Sequence, residues 1–237
     1  MKFALVTGCA GFIASHLVER LLLDNWNVLG LDNFHPYYDK ELKLKNLANF
    51  KDHKNFKFVE GSILDLDLLK TFSNVDTVFH LAAIAGVRNS FNNPQEYFDI
   101  NVKGTENILK TFQNIDELVF ASSSSVYGEL KQNEFPVKET HSLNPISPYG
   151  ESKKQSELLC EHYSKSSKIR TSILRFYTVY GPRQRPDEAI MKFLNLSISG
   201  KPIPIFDDGT KIRDFTYISD IVNGIILSQK FGNGTYN

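Results

Sequence analysis

Short apolar runs alternate with longer amphipathic segments through most of the chain. Six runs have the length and composition of buried β-strands: KFALVTG, NVLGLD, NFKFVEGSI, DTVFHLAA, ELVFASSSS and IRTSILRF. Between them, segments such as GFIASHLVERLLLDN and SPYGESKKQSELLCEHYSK repeat apolar residues at helical spacing. This alternation predicts an α/β fold with a doubly wound parallel sheet and helices on both faces.

The pattern changes at about residue 178, where proline and glycine become frequent in YGPRQRPDEA and SGKPIPIFDDG. We therefore predict a sheet domain over residues 1–177 and a smaller lobe over residues 178–237 that forms a pocket against it. The final GTYN is typical of the start of a strand. Elements of the lobe are therefore expected to interleave with the first domain.

The amino-acid composition limits the kinds of binding partner and cellular setting to expect. The 237 residues include 27 basic and 27 acidic side chains, so no charge excess favours nucleic acid or an anionic membrane. The two cysteines, Cys9 and Cys160, are far apart, which predicts a reducing, cytoplasmic setting without a disulfide framework or zinc site. No run approaches the roughly 20 apolar residues of a membrane span. The histidines lack metal-ligand spacing, so no metal is expected.

A glycine-rich turn, TGCAGFIASHL, follows the first predicted strand and opens the first predicted helix. In a Rossmann sheet, Gly8 would allow the tight turn and Gly11 would let the backbone approach a pyrophosphate at the helix N-terminus. Asp32 ends the second strand, where a carboxylate accepts hydrogen bonds from ribose hydroxyls and repels a 2′-phosphate. NAD is therefore expected rather than NADP. Ala14 stands at the third glycine position, which predicts slightly weaker packing or NAD binding.

Four consecutive serines end the fifth predicted strand, at the edge of the sheet where ligands bind. Further along the chain, Tyr149 and Lys153 are spaced i and i+4, which places them on one helix face. A lysine ammonium near a phenol favours the phenolate, so we expect a lowered pKa for Tyr149. Such a tyrosine can take a proton from a sugar hydroxyl while a hydride leaves for the cofactor.

Motifs along essentially the whole chain resemble the extended short-chain dehydrogenases, in particular the NAD-dependent sugar-nucleotide epimerases and dehydratases. The motifs are VTGCAGFIASHL, HLAAIAGV, NVKGTENIL, SSSSVYG, SPYGESK, LRFYTVYGPRQRPD and GTKIRDFTYISDI. The resemblance implies that Ser123 is the catalytic hydroxyl, that Tyr149 and Lys153 are its catalytic partners, and that Ser124 and Ser125 line the sugar. The dehydratases carry an Asp-Glu pair at those last two positions, so the serines favour an epimerase.

The resemblance also implies a set of cofactor contacts and a domain assignment. Residues 1–177 would bind NAD, and residues 178–237 would be a nucleotide-sugar lobe. Ser62 replaces the usual aspartate near the adenine, so its hydrogen bond would be weaker. The expected NAD-binding residues are Gly8, Gly11, Phe12, Ile13, Asp32, Asn33, Ser62, Ile63, Leu81, Ala82, Ala83, Tyr149 and Lys153.

Three segments, GLDNFHPYYDKELK, HLAAIAGVRNSFNNP and YTVYGPRQRPDEAIMKF, look most like the UDP-glucuronate 4-epimerases. Arginine offers a bidentate fork to a carboxylate, so Arg185 is the preferred clamp, with Thr178 beside it. Arg88 is a second candidate for the clamp, and Arg183 is less favoured. The resemblance assigns Arg213 to the diphosphate and Phe206 to stacking on the uracil.

The expected reaction inverts C4 of a UDP-sugar through a 4-keto intermediate, with UDP-glucose and UDP-N-acetylglucosamine as alternative substrates. Family members continue past G-x-x-Y-N, so the substrate lobe is expected to be C-terminally truncated. A non-catalytic NAD-binding relative is therefore a second hypothesis. An NADPH-dependent reductase is a third, which Asp32 opposes. The family also suggests a homodimer formed by the helices after residues 101 and 149.

Overall fold

The computed structural model describes residues 2–205, 208–209 and 212–237. Within this part of the chain the strands are β1 (Phe3–Thr7), β2 (Asn27–Asp32), β3 (Phe56–Glu60), β4 (Thr77–His80), β5 (Glu117–Ser123), β6 (Arg170–Phe176), β7 (Thr178–Tyr180), β8 (Phe215–Tyr217) and β9 (Gly234–Tyr236). The α-helices are α1 (Phe12–Leu23), α2 (Lys40–Ala48), α3 (Leu66–Lys70), α4 (Pro94–Tyr97), α5 (Gly104–Thr111), α6 (Pro148–Ser166), α7 (Ala189–Ile198) and α8 (Ile218–Phe231).

Seven parallel strands form the main sheet in the order β3-β2-β1-β4-β5-β6-β9. The order reverses between β1 and β4, so the sheet is doubly wound, and the predicted α/β fold class is confirmed. The carboxyl ends of the strands meet at one edge. That edge therefore collects the glycine-rich turn, Asp32 and Ser123 from three different strands.

Each face of the sheet carries its own apolar core because side chains alternate along a strand. On β1, Ala4 and Val6 belong to the core with α1 and α8, whereas Leu5 belongs to the core with α5 and α6. Both faces are buried, which explains why the strands are nearly continuous apolar runs rather than alternating ones.

Two helical segments differ from the sequence prediction. The lysine-rich connection after β2, where the sequence pattern predicted no element, contains α2, which Asp39 caps by accepting a hydrogen bond from the Glu41 N–H at 2.9 Å. The helix predicted to begin at residue 101 begins earlier, with α4 and a π-helical turn over Phe98–Lys103 that leads into α5. Helix α2 was not predicted because it is only weakly amphipathic. The second helical segment begins earlier than predicted because Pro94 starts α4.

The region after residue 178 contributes to both sheets. β7 pairs with β8 in a small parallel sheet, and β9 pairs with β6 at the edge of the main sheet. The strand predicted at GTYN is therefore confirmed, while the division at residue 177 stays a prediction. Both cysteines are buried and free. No helix among the described residues has the length and apolar character needed to cross a bilayer.

The stability of the fold should depend on the protonation of Glu117, a completely buried carboxylate at the start of β5. Burial raises its pKa from 4.5 to about 6; Gln229, Arg170 and Lys2 oppose this rise and Asp116 adds to it. Because the folded protein holds the proton more tightly, the extra stability is present below about pH 4.5 and is lost as the pH rises through 6. The expected loss in the free energy of unfolding is about 2 kcal/mol.

Urea denaturation between pH 4.5 and 7 checks this expectation, with Glu117→Gln as the matched variant. The amide keeps the size of the side chain but does not titrate in this range, so its unfolding free energy should vary less with pH than that of the parent. Parallel pH profiles for the two proteins would show that Glu117 is not the responsible group.

Candidate active site

One cavity at the carboxyl edge of the sheet contains the whole set of expected cofactor residues. The glycine-rich turn, the ends of β2 and β4, the segment after β3 and the first turns of α6 all contribute to its wall. The cavity-lining residues from the predicted set are Gly8, Gly11, Phe12, Ile13, Asp32, Asn33, Ser62, Ile63, Leu81, Ala82, Ala83, Tyr149 and Lys153.

The glycine-rich turn depends on the absence of side chains at its start. Gly8 has φ +72°, and its N–H donates to the Leu31 carbonyl at 2.7 Å. A Cβ at Gly8 would lie 2.9 Å from the Cα of Ala82, so even a methyl group would collide with the neighbouring strand end. No side chain caps Gly11 at the start of α1, so the N–H groups of the first turn are available for an anionic group.

The wall next to the turn is also tightly packed. Ala14, in place of the expected glycine, has its methyl group buried in the core below α1. Ser62 uses its Oγ to accept a hydrogen bond from the Leu64 N–H at 3.1 Å while it lines the cavity. The turn, its uncapped helix start and the adjoining space fit a dinucleotide pyrophosphate.

Asp32 is held in place by two backbone amides. Its Oδ2 accepts from the Ala10 N–H at 3.1 Å and its Oδ1 accepts from the Phe34 N–H at 2.8 Å. Burial raises the pKa of Asp32, and the nearby Lys43 ammonium is the main group that opposes this rise. Lys43 itself donates to the His35 carbonyl at 2.8 Å. The sequence analysis did not identify Lys43, because only the fold of α2 brings it to Asp32.

Tyr149 and Lys153 line this cavity, and Ser123, which is not among the lining residues, lies beside the Tyr149 hydroxyl. Ser123 ends β5, and its Oγ accepts from the Ser125 N–H at 3.2 Å and lies within hydrogen-bonding reach of the Tyr149 hydroxyl. Tyr149 and Lys153 both come from the start of α6, where Ser147 accepts a hydrogen bond from the Gly150 N–H. The Lys153 ammonium lies 4.4 Å from the centre of the Phe120 ring.

The expected lowering of the Tyr149 pKa is wrong for the protein as described. Burial raises the pKa of Tyr149, and the hydrogen bond with Ser123 is the main effect in the opposite direction. Burial also lowers the pKa of Lys153 to about 8, which Glu157 and Cys160 partly oppose. Both shifts have the same cause, since a poorly solvated site disfavours the charged form of either group.

A buried polar network behind the site was not anticipated from the sequence. Ser122 Oγ donates to Glu157 Oε1, and Arg175 donates to the same carboxylate from Nε and Nη2, with Nη2–Oε2 at 2.8 Å. Arg175 Nη1 also donates to the Tyr127 hydroxyl at 2.8 Å. Glu157 follows Lys153 by one helical turn, so the network ties β5, β6 and α6 together directly behind Ser123.

The expected substrate residues are distributed more widely. Arg185 lines the cavity, whereas Arg88, Thr178, Ser124, Ser125 and Arg213 are not among its lining residues. Arg183 forms an ion pair with Glu19 at 2.6 Å, which makes it part of the contact with α1.

Two more of the expected substrate residues, Thr178 and Arg213, donate hydrogen bonds to backbone carbonyls. Thr178 begins β7, and its N–H donates to the Asp214 carbonyl at 3.3 Å. Arg213 is exposed and donates to the adjacent Ile212 carbonyl at 2.8 Å. Phe206, expected to stack on the uracil, lies outside the described residues. The substrate roles of these residues therefore stay predictions.

Several residues that line the cavity were missed. His35, Tyr37 and Tyr38 come from the segment after β2, and Glu188 comes from the turn before α7. The segment FHPYYD contributed only to the resemblance. No local sequence pattern indicates that Tyr37 of this segment contacts Asp187, 150 positions away. Within the part of the chain that is described, no group of three His, Cys, Asp or Glu side chains could hold a metal ion.

Comparison with known proteins agrees with this arrangement of fold and cavity. The model of the NAD dependent epimerase/dehydratase family matches residues 4–237. A protein of Bacillus subtilis strain 168, called an uncharacterized UDP-glucose epimerase, is 49% identical over 93% of this chain and 70% of its own. A UDP-glucuronate 4-epimerase of Thermodesulfobacterium geofontis is 43% identical over 97% of this chain and 72% of its own.

A solved structure extends the comparison to three dimensions. The UDP-glucuronic acid 4-epimerase of Bacillus cereus, crystallised with UDP-glucuronic acid and NAD, superposes with a TM-score of 0.94 at 40% identity. The match covers 99% of this chain and 76% of that one. The fold and the site define a nucleotide-dependent α/β enzyme, and the chain belongs to the NAD dependent epimerase/dehydratase family. The family resemblance recognised in the sequence is thus confirmed.

Proposed function

We propose that the protein is an NAD-dependent 4-epimerase that interconverts UDP-glucuronate and UDP-galacturonate through a 4-keto intermediate. The observation that carries this proposal is that Lys153 and Tyr149, whose hydroxyl is hydrogen-bonded to Ser123, line the same cavity as the glycine-rich turn and Asp32. The cavity thus combines a dinucleotide site with a proton-transfer group. The names of the relatives in the family support the choice of reaction and substrate.

The residues of the cavity suit NAD. Asp32 would accept hydrogen bonds from the adenosine ribose and disfavour a 2′-phosphate, and the first turn of α1 would hold the pyrophosphate. Ser62 and Ile63 would lie at the adenine, with Leu81, Ala82 and Ala83 along the opposite wall. When bound, NAD supplies a reversible hydride acceptor for C4 of the sugar.

The chain's own residues would manage the proton that accompanies this transfer. Tyr149 would take the proton of the 4-hydroxyl, and Ser123 would hydrogen-bond the same oxygen. The Lys153 ammonium, one turn along α6, would favour the phenolate and oppose the effect of burial. After the 4-keto sugar turns its other face to the cofactor, C4 would regain the hydride on that face and its oxygen would regain the proton from Tyr149, so that C4 is inverted.

The substrate carboxylate would be bound by Arg185, the one predicted arginine that lines the cavity wall. Its guanidinium is mostly buried, and a planar fork binds a carboxylate in a defined orientation. Thr178, Arg88, Ser124 and Ser125 would contact the sugar, while Arg213 and Phe206 would bind the diphosphate and the uracil. Residues 1–177 would thus hold NAD and residues 178–237 the nucleotide sugar.

Purified protein incubated with NAD and UDP-glucuronate tests the proposal when product is followed by proton NMR. Appearance of UDP-galacturonate is expected, at a higher kcat/KM than the turnover of UDP-glucose or UDP-N-acetylglucosamine. Faster turnover of UDP-glucose would favour the activity named for the Bacillus subtilis relative. Bound NAD without turnover of any of the three sugars would favour a non-catalytic relative.

We further propose a cytoplasmic homodimer formed through α5 and α6, without nucleic acid or membrane partners. The family resemblance supports the dimer, and the exposed Leu158 on α6 provides an apolar contact for it. Sedimentation velocity should give twice the monomer mass, and Leu158→Glu should shift the population toward monomer. A monomeric parent protein at micromolar concentration would contradict the dimer.

A further inference from the structure

The guanidinium of Arg185 is already bound to two carboxylates of its own chain. Its Nε and Nη2 lie 3.1 and 3.2 Å from Asp187 Oδ1 and Oδ2, in a bidentate pair. Nη2 also lies 3.2 Å from Glu188 Oε1. The Tyr37 ring lies against the group, with its centre 5.3 Å from the guanidinium carbon. The Arg185 cluster is defined as these four residues, of which Tyr37, Arg185 and Glu188 line the cavity.

The net charge of the Arg185 cluster is unfavourable for binding a further anion, such as the carboxylate of a substrate. One cation faces two carboxylates, so the cluster has one negative charge in excess. An incoming carboxylate would be repelled by Asp187 and Glu188 while it is attracted by Arg185. Asp187 takes the Nε–Nη2 edge, one of the two edges that can bind a carboxylate in bidentate fashion, and Glu188 contacts Nη2, which the other edge shares.

We propose that Asp187 is a specificity-determining residue, because its carboxylate occupies the fork of Arg185 and must be displaced by the carboxylate of the substrate. The inference rests on the proposed function, in which Arg185 binds that carboxylate. Displacement would make a uronate compete with an internal anion, whereas a neutral sugar would leave the pair intact. Asp187 therefore reduces the advantage that Arg185 gives to an anionic sugar.

The local structure allows this exchange without movement of the backbone. Asp187 and Glu188 follow Arg185 by two and three residues, and the turn is closed by the Glu188 N–H bound to the Arg185 carbonyl at 3.2 Å. The side chain of Asp187 is 36% exposed, so it can rotate into water. Glu188 is less exposed, at 24%, and accepts a hydrogen bond from Gln184 Nε2 at 2.9 Å, so the greater exposure of Asp187 favours it as the acid that moves.

Tyr37 contributes a hydrogen bond that this exchange would break. Its hydroxyl donates to Asp187 Oδ2 at 3.2 Å and accepts from Asn89 Nδ2 at 2.8 Å. Rotation of Asp187 would break the first of these bonds and leave the second. Tyr37→Phe should therefore make Asp187 easier to displace and shift sugar preference in the same direction as removal of the Asp187 charge.

Calorimetric titration of the NAD-loaded protein with UDP-glucuronate and with UDP-glucose tests the role of Asp187. Asp187→Asn should lower the Kd for UDP-glucuronate about fivefold, the size expected for one partly exposed charge pair, and leave the Kd for UDP-glucose unchanged. Asp187→Glu, which keeps the charge, should behave like the parent. Asp24→Asn removes a charge from a remote pair on α1 and should change neither Kd.

Two results would overturn the role of Asp187. An unchanged ratio of the two Kd values in Asp187→Asn would mean that no displacement occurs. A selective loss of UDP-glucuronate affinity would mean that Asp187 orients Arg185 instead. Asp187→Ser provides a second neutral variant, and equal thermal unfolding midpoints would show that the comparison concerns folded protein.

Arg185→Met separates this inference from the proposal on which it rests. Loss of the preference for UDP-glucuronate over UDP-glucose in Arg185→Met, together with no gain in Asp187→Asn, would reject only the displacement by Asp187. An unchanged preference in Arg185→Met would reject the carboxylate clamp itself, and the displacement with it.

Discussion

Tyr149→Phe is expected to lower kcat for UDP-glucuronate epimerisation by about 10²- to 10⁴-fold, the usual contribution of a positioned general acid or base. The substitution removes only the hydroxyl, which is hydrogen-bonded to Ser123. The aromatic ring remains, including its edge-on contact with Tyr97 at 6.2 Å. KM and NAD content should therefore stay close to those of the parent. Initial rates by NMR, together with the NAD released on denaturation, measure both quantities.

Tyr163→Phe is the matched control for this prediction. Tyr163 lies on the same helix and donates its hydroxyl proton to the Phe112 carbonyl, away from the cavity. The control should retain the parent's kcat even if it loses some thermal stability. A Tyr149→Phe protein as active as the control would show that another group takes the proton of the 4-hydroxyl.

Arg175→Met is expected to destabilise the protein by about 3–5 kcal/mol, the cost of leaving one member of a buried ion pair without its partner. Arg175 and Glu157 have side chains only 4% and 1% exposed, so water cannot replace the lost contact. The double variant Arg175→Met/Glu157→Leu should recover much of this loss, because neither charge then remains buried alone. Denaturant unfolding of the parent, both single variants and the double variant measures the coupling energy.

Lys110→Met supplies the control for the ion pair. Lys110 pairs with Glu106 on α5, but both side chains are largely exposed, so the expected cost is at most about 0.5 kcal/mol. If Arg175→Met cost no more than Lys110→Met, the network behind Ser123 would not hold β5, β6 and α6 together. Additive effects in the double variant would lead to the same conclusion.

The sheet could be predicted because its strands are buried on both faces and therefore stand out as apolar runs. Helix α1 was equally clear, since a glycine turn precedes it and its apolar residues recur with helical spacing. Helix α2 could not be predicted in this way. Its first turn is capped by Asp39, but the charged sequence KELKLKNLA has almost no apolar face. Its position is determined by contacts such as Asn46 Nδ2 donating to the Ala10 carbonyl at 2.9 Å.

The candidate site likewise contains residues that the sequence predicts and residues that it does not. Motifs contiguous in sequence led to the glycine-rich turn, Asp32 and the Tyr149–Lys153 pair, because local spacing determines their geometry. Tyr37 and Arg185 lie far apart in the chain, and no single segment contains the information that they touch. The direction of the Tyr149 pKa was mistaken for a related reason. Local spacing predicts the lysine beside the phenol, but burial is a property of the whole fold.

The central claim, oxidation and reduction at C4 within one site, is tested most directly with UDP-glucuronate that carries deuterium at C4. The hydrogen removed from C4 should return to C4 on the opposite face, because it is held on the bound cofactor and does not exchange with water. UDP-galacturonate formed in ordinary water should therefore retain the deuterium at C4, as measured by mass spectrometry and NMR. Product that carries protium at C4 would contradict the account and would require an exchange step that these residues do not explain.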